Sequence, residues 1–294
     1  MVYLDDSIMI KGKPASAGSK MLENFIAPFD ATAAVRIKEN AETVRLGEFG
    51  LKAPKMLPDG PLLCNDVFGH VRAAATKQGL YYIRPTYGTV SRYGLIPAVC
   101  SMDQIGVVCK DPYEGFELLS KIAGHDEKDG AMFPEKHYSY VKSDKSPVLF
   151  KEALPYSELY GSVFEILACA ELSGNLSRYD GIKFGYRAEN FKGLDELYIK
   201  TRTGGFGNEV KFALTAGCLA LSQDYYTALY EKAMKLRRLI KESLRFDQYD
   251  VLVLPVESPL AVLAGLPSLS FGEVQLAAQV KNEGALLAAL EVIA

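Results

Sequence analysis

The stretch Asn65-Asp66-Val67-Phe68-Gly69-His70-Val71-Arg72 follows an apolar run, Pro61-Leu62-Leu63-Cys64, and leads into residues 69–79, which read as a helix. Residues 80–84 then read as a strand, because Tyr81, Tyr82 and Ile83 are aromatic or branched, and residues 106–109 read as another. Residues 111–123 open with Asp111 ahead of Pro112, a capping start, and carry Phe116, Leu118, Leu119 and Ile122 at helical intervals. Further on, residues 157–172 form a strongly apolar helix, and residues 249–255, 266–271 and 274–280 read as buried strands before a closing helix over 283–293. Helices alternating with strands predict an α/β fold: a central β-sheet with helices on both faces.

Toward the amino terminus, residues 17–40 show apolar positions at near-helical intervals (Met21, Phe25, Ala31, Ala34, Ile37), and Pro28 must bend or break the helix, so two shorter helices are expected. A short strand is expected over 43–46 and a loop over 47–61, where prolines and glycines gather. Residues 124–146 read as an exposed polar excursion and residues 175–187 as a loop or short strand. The longest helical pattern covers 207–245, with Lys232, Lys235, Arg237, Arg238 and Lys241 as its solvated face. Residues 1–294 are expected to form a single domain, with no internal repeat.

Hydrophobic residues make up 49% of the 294 positions and charged residues 23%, which suits a folded chain with a sizeable core. With 33 basic and 36 acidic residues the net charge is -3, so direct nucleic-acid binding is disfavoured. The start, Met1 to Ser7, lacks the basic and apolar stretches of a secretory signal. No segment is apolar over about 18 consecutive residues, so a cytoplasmic location without membrane association is expected. Five widely spaced cysteines fit reduced core thiols, and three histidines with no metal-ligand spacing predict no metal. No cofactor motif is present.

Residues 65–72, together with Arg84-Pro85-Thr86-Tyr87-Gly88 and Ser101-Met102-Asp103-Gln104-Ile105-Gly106, resemble the signature region of the amidase signature family. Residues 19–24, 29–32, 85–95, 175–181 and 205–211 narrow the resemblance to the A-subunit branch of the glutamyl-tRNA(Gln) amidotransferases. The resemblance implies a mixed central β-sheet flanked by helices on both faces, here with shortened active-site loops. It also implies catalysis by a Ser, cis-Ser, Lys triad on glutamine.

Measured against that triad, the chain departs at each member. The family's S-D-T-G-G-S-I-R falls on residues 65–72, which puts His70 at the nucleophile and Val67-Phe68-Gly69 at the oxyanion turn. The K-D-N-I-x-x-K-G motif falls on residues 5–12, so Asp5 stands where lysine is required, and Lys11 survives. The serine-rich loop has no counterpart, since residues 48–65 contain no serine. Lys211-Phe212-Ala213-Leu214 replaces K-R-R-I, and the acidic segment before Gly265 is short.

The expectation is therefore a catalytically inactive relative acting as a binding or scaffold protein, with a vestigial site at Asp5, Asp66, Gly69, His70 and Arg72. Ligand-contact candidates are His70, Arg72, Tyr87, Ser101, Tyr179 and Tyr186, and any pocket is expected near the first four. The alternative is an amidase or amidotransferase-type enzyme with chemistry rebuilt around His70, Asp66, Cys64 and Arg72. Against those roles stand plain ones: Asp66 and Arg72 as an ion pair or cap, Cys64 as a buried inert thiol, Asp5 and Asp6 as solvated terminal acids. Expected partners are a protein, such as an amidotransferase subunit or pathway enzyme, or a small ligand.

Overall fold

The computed structural model describes residues 1–37 and 41–293. Its strands are β1 (Val2–Asp5), β2 (Ala41–Val44), β3 (Leu62–Asn65), β4 (Tyr81–Arg84), β5 (Ile105–Cys109), β6 (Leu149–Phe150), β7 (Val251–Pro255), β8 (Ser268–Phe271) and β9 (Val274–Ala278). Among the described residues they form a nine-stranded sheet in the order β2-β1-β3-β5-β4-β8-β9-β7-β6. β1 is parallel to both β2 and β3, the centre is antiparallel, and β6 returns parallel to β7.

Alternation along the strands sorts side chains onto two faces. On one face Leu4, Leu63, Val107, Ile83, Leu269 and Leu276 stand opposite one another in successive strands, all fully buried. This row is covered by α1 (Thr32–Ile37), α3 (Pro112–Ile122) and α9 (Glu283–Ile293), which supply Phe116, Leu119, Leu286 and Leu290. The α3 start matches its sequence signal: Pro112 occupies the first turn and Asp111 accepts the Tyr113 amide at 2.7 Å.

On the other face α2 (His70–Lys77) lies over Leu62, Cys64, Tyr82 and Val108, pressing down Val71 and Ala75. Beside it, α4 (Tyr160–Leu176), α6 (Asn208–Leu221), α7 (Lys232–Glu242) and α8 (Leu260–Ala264) build a second core through Leu167, Leu172, Val210, Ile240 and Leu263. α5 (Leu194–Gly205) completes the helices of the described residues.

Several expectations change. Of the two shorter helices expected over 17–40, the second is α1 and the first is only a single 3-10 turn at Lys20–Leu22, while residues 38–40 lie outside the described ones. Asp6 explains the loss, because its carboxylate accepts the amides of Ser16 (3.3 Å) and Gly18 (3.1 Å) and holds that backbone out of a helix. The pattern over 207–245 breaks at Ser222, whose backbone is extended, whose hydroxyl donates to Leu219 O at 2.7 Å, and whose carbonyl accepts the Tyr225 and Tyr226 amides. Arg237 is not solvated: it donates to Leu263 O at 2.7 Å and to Ser101 Oγ at 2.9 Å. The excursion over 124–146 is also tied down, since Arg36 donates to the carbonyls of Ile122, Gly124 and His125, and buried Asp129 pairs with Arg92 at 2.6 Å. Strands β1, β3 and β6 and helices α5 and α8 carry too few residues or too weak a period to be read from sequence.

Leu63 sits in the middle of the buried row, so Leu63→Ala is expected to lower unfolding free energy in urea by about 2–5 kcal/mol. Met56→Ala, at an 80% exposed position, is the matched control and should change it by less than about 0.5 kcal/mol.

Candidate functional site

Because β1 and β3 are parallel neighbours, their carboxyl ends reach the same edge of the sheet and bring Asp5, Asp6 and Ser7 beside Asn65 and Asp66. The two amino-terminal aspartates are buried, not solvated as expected, because β1 lies inside the sheet between β2 and β3. Asp5 accepts a hydrogen bond from the Ser7 hydroxyl. Burial pushes its pKa up to about 7, the neighbouring Asp6 carboxylate adds to the rise, and the Ser7 hydrogen bond only partly offsets it. Asp6 is raised by burial as well, against hydrogen bonds from Ser16 and Gly18.

The space in front of Asp5 is nearly closed. A cavity of about 10 Å³ remains between Asp5, Ser7, Phe49, Asn65 and Ile96, room for at most about one water. Phe49 fills the rest, held at φ 45° and set 6.0 Å from the Tyr179 ring and 6.4 Å from the Phe206 ring. Asn65 donates to Asp103 at 2.8 Å and accepts the Gln104 amide, so its side chain ties two loops together. Cys64 lies beneath with its thiol well above the ordinary range, through burial first and then the Asp66 and Asp5 carboxylates, so it is protonated and inert.

At the next turn the chain enters α2. Asp66 accepts the Val71 and Arg72 amides, each at 2.9 Å, which satisfies two otherwise free donors of the first helical turn. Both its oxygens are thus engaged by the helix start and neither orients His70. Gly69 adopts φ 80°, and a Cβ there would lie 2.6 Å from Nη2 of Arg72, whose side chain is buried against the turn.

His70 points the other way. It lines an open groove of about 680 Å³ with Phe68 and Phe164, which meet edge to face at 5.9 Å, and with residues of α4 and α6. Its side chain makes no hydrogen bond among the described residues.

The remaining candidates are scattered. Arg72 lies under α2 and outside the groove. Tyr87 donates to Cys100 O at 3.0 Å and accepts from Arg92 at 2.8 Å, beside a separate polar pocket of about 200 Å³ lined by Arg92, Cys100, Asp103 and Asp129. Ser101 is clasped between Glu171 and Arg237. Tyr179 is core, and the Tyr186 ring carries Lys20 at 4.0 Å. The single pocket expected near His70, Arg72, Tyr87 and Ser101 is therefore two separate spaces, of which His70 reaches one. Lys11 is exposed, and its amide donates to Asp30 at 2.8 Å. Sequence reasoning missed Glu165, Cys169, Glu209 and Leu229 as groove residues, and only the exposure of Phe212 on an amphipathic helix offered a hint. No group of three or more His, Cys, Asp or Glu among the described residues is placed to hold a metal ion.

The family described as Amidase matches residues 63–149 and 142–280. The A subunit of glutamyl-tRNA(Gln) amidotransferase from Lachnoclostridium phytofermentans is 32% identical over 327 residues, covering 86% of this chain and 66% of its own length. The protein of the same name from Nitrosomonas europaea is 33% identical, covering 88% of this chain and 68% of its own. The chain thus spans about two thirds of the length of such relatives. Because the first alignment runs over 327 positions, more than the 294 residues of the chain, part of the missing length falls inside the matched span.

Among solved structures, the A subunit of the glutamyl-tRNA(Gln) amidotransferase of Thermotoga maritima superposes with a TM-score of 0.72 at 24% identity, covering 98% of this chain and 81% of that one. A chain from a vestigial protein complex that bears on the origins of an s-triazine catabolic enzyme superposes at 0.77 and 18% identity, covering 100% and 83%. Both likenesses establish the fold: a mixed sheet with helices on both faces.

An acid whose pKa is higher in the folded than in the unfolded chain keeps its proton over a window where the unfolded chain has lost it. Stability therefore falls as pH rises through that window, which for Asp5 runs from 3.8 to about 7. Asp5→Asn is expected to remove that loss, so that the variant gains on the wild type across the window by up to roughly 4 kcal/mol. Urea unfolding at pH 5 and pH 8 reads the difference, and an equal gap at both pH values contradicts it. Separately, Gly69→Ala is expected to cost about 1–2 kcal/mol in the same assay through its left-handed backbone.

Proposed function

The chain belongs to the amidase family, and from that premise we propose that it is a catalytically inactive relative of the A subunit of glutamyl-tRNA(Gln) amidotransferase that works as a binding or scaffold protein. Its partner is a protein, such as an amidotransferase subunit or an enzyme of the same pathway, or a small ligand. Five free cysteines favour a reducing compartment, and we place the protein in the cytoplasm as a single domain.

The observation that carries this reading is Asp5. At the position of the family lysine there is a buried carboxyl group hydrogen-bonded to Ser7, in front of which Phe49 leaves about 10 Å³. A carboxyl group offers one donor when protonated and none when ionised, against the ammonium's three and its positive charge, so it does not replace lysine in supporting a serine base. The residues at the other vestigial positions have structural work instead: Asp66 caps α2, Gly69 makes its entry turn, and Arg72 packs beneath it.

A rebuilt enzyme would need a nucleophile beside His70. Cys169 lines the same groove, but burial raises its thiol pKa and leaves it mostly protonated at neutral pH. Among the described residues His70 has no carboxylate partner to fix its tautomer, and the Asp66 carboxylate is already taken by the helix start.

Ammonia release from glutamine and from simple amides is expected to stay at the uncatalysed level, with His70→Ala indistinguishable from the wild type. Turnover abolished by His70→Ala would establish the enzyme reading in its place.

A further inference from the structure

The groove beside His70 runs between α4 and α6 and has about 680 Å³, within the range of small-molecule sites. Its walls are apolar. Phe68 and Phe164 form the inner end, and Phe212 and Leu219 stand along α6 at 77% and 49% exposure, high for side chains of their size. Among the described residues two acidic ones line it, Glu165 from α4 and Glu209 from the first turn of α6, and no lysine or arginine does. Among the described residues neither carboxylate is in an ion pair.

We propose that this groove binds an amphipathic amine: an apolar or aromatic body held by Phe68, Phe164, Phe212 and Leu219, with an ammonium or amidinium head placed between Glu165 and Glu209. The inference rests on reading the chain as a binding protein and adds the chemical class of its ligand. Charge complementarity selects the head, because two carboxylates facing an apolar wall attract a cation and repel a carboxylate. The aromatic rings of Phe68 and Phe164 at the inner end offer apolar area to the body of the ligand. His70 supplies one polar contact through a ring nitrogen. Phe212 stands where the family pattern has arginine, so an amino-acid carboxylate has no cationic partner among the lining residues.

The test uses the intact chain and two probes of matched size and opposite charge, 4-phenylbutylamine and 4-phenylbutanoate, titrated by NMR chemical-shift mapping with calorimetry. The amine is expected to bind saturably and to shift resonances of α4, α6 and His70, while the carboxylate leaves them unmoved. Replacing both acids, Glu165→Gln with Glu209→Gln, is expected to weaken the amine by about tenfold or more. Phe212→Arg, at a largely exposed position that the fold does not depend on, is expected to abolish amine binding and admit the carboxylate. Equal binding of both probes, binding of neither, or an amine affinity untouched by loss of the two acids overturns the proposal. Ammonia release measured on the same samples keeps the two readings apart: turnover would overturn the scaffold function and leave the amine result standing, and absent amine binding without turnover does the reverse.

Discussion

Six aliphatic side chains in one row, Leu4, Leu63, Val107, Ile83, Leu269 and Leu276, cross the sheet from β1 to β9 and set its register. A slip of one residue in any of these strands would turn its apolar side toward the opposite face, where Tyr82, Ser270 and Gln275 now stand. Once that register holds, β1 and β3 end together, and the residues following them are forced into one crowded corner. The burial of Asp5 and Asp6, the capping of α2 by Asp66 and the intrusion of Phe49 all follow from that convergence.

Polar groups trapped in such a corner have to be satisfied locally. Asp6 organises residues 16–18 and Asp66 organises residues 69–72, so two buried carboxylates act as anchors for backbone amides. Nearby, Arg84 is fully buried and donates to Met102 O at 2.5 Å. Burial lowers its pKa, while the Tyr82 hydroxyl and the Asp66 carboxylate act to hold its charge.

A scaffold and a reaction rest on different features of a chain. The apolar row and the helices over it depend on residue size and alternation, and these persist at about one third identity to amidotransferase A subunits. Reaction chemistry depends on particular atoms at particular points, which size and alternation do not fix. Phe68 and His70 line a groove whose other wall is α6.

Sequence alone determined what local rules govern. The Asp111-Pro112 start of α3, helices α2 and α9, and strands β4, β5 and β7 are each written in a few adjacent residues, through capping or alternation. Tertiary structure decided whatever depends on which surfaces meet. Two terminal aspartates are buried because the first strand lies between two others, Arg237 leaves solvent because α8 and Ser101 lie against α7, and the helical pattern over 207–245 breaks because Ser222 bonds its own turn. The direction of His70 belongs to the same class. A residue's side of a helix start is set by what packs beneath the helix, and here Arg72, Val71 and Ala75 occupy that side and leave His70 to the groove.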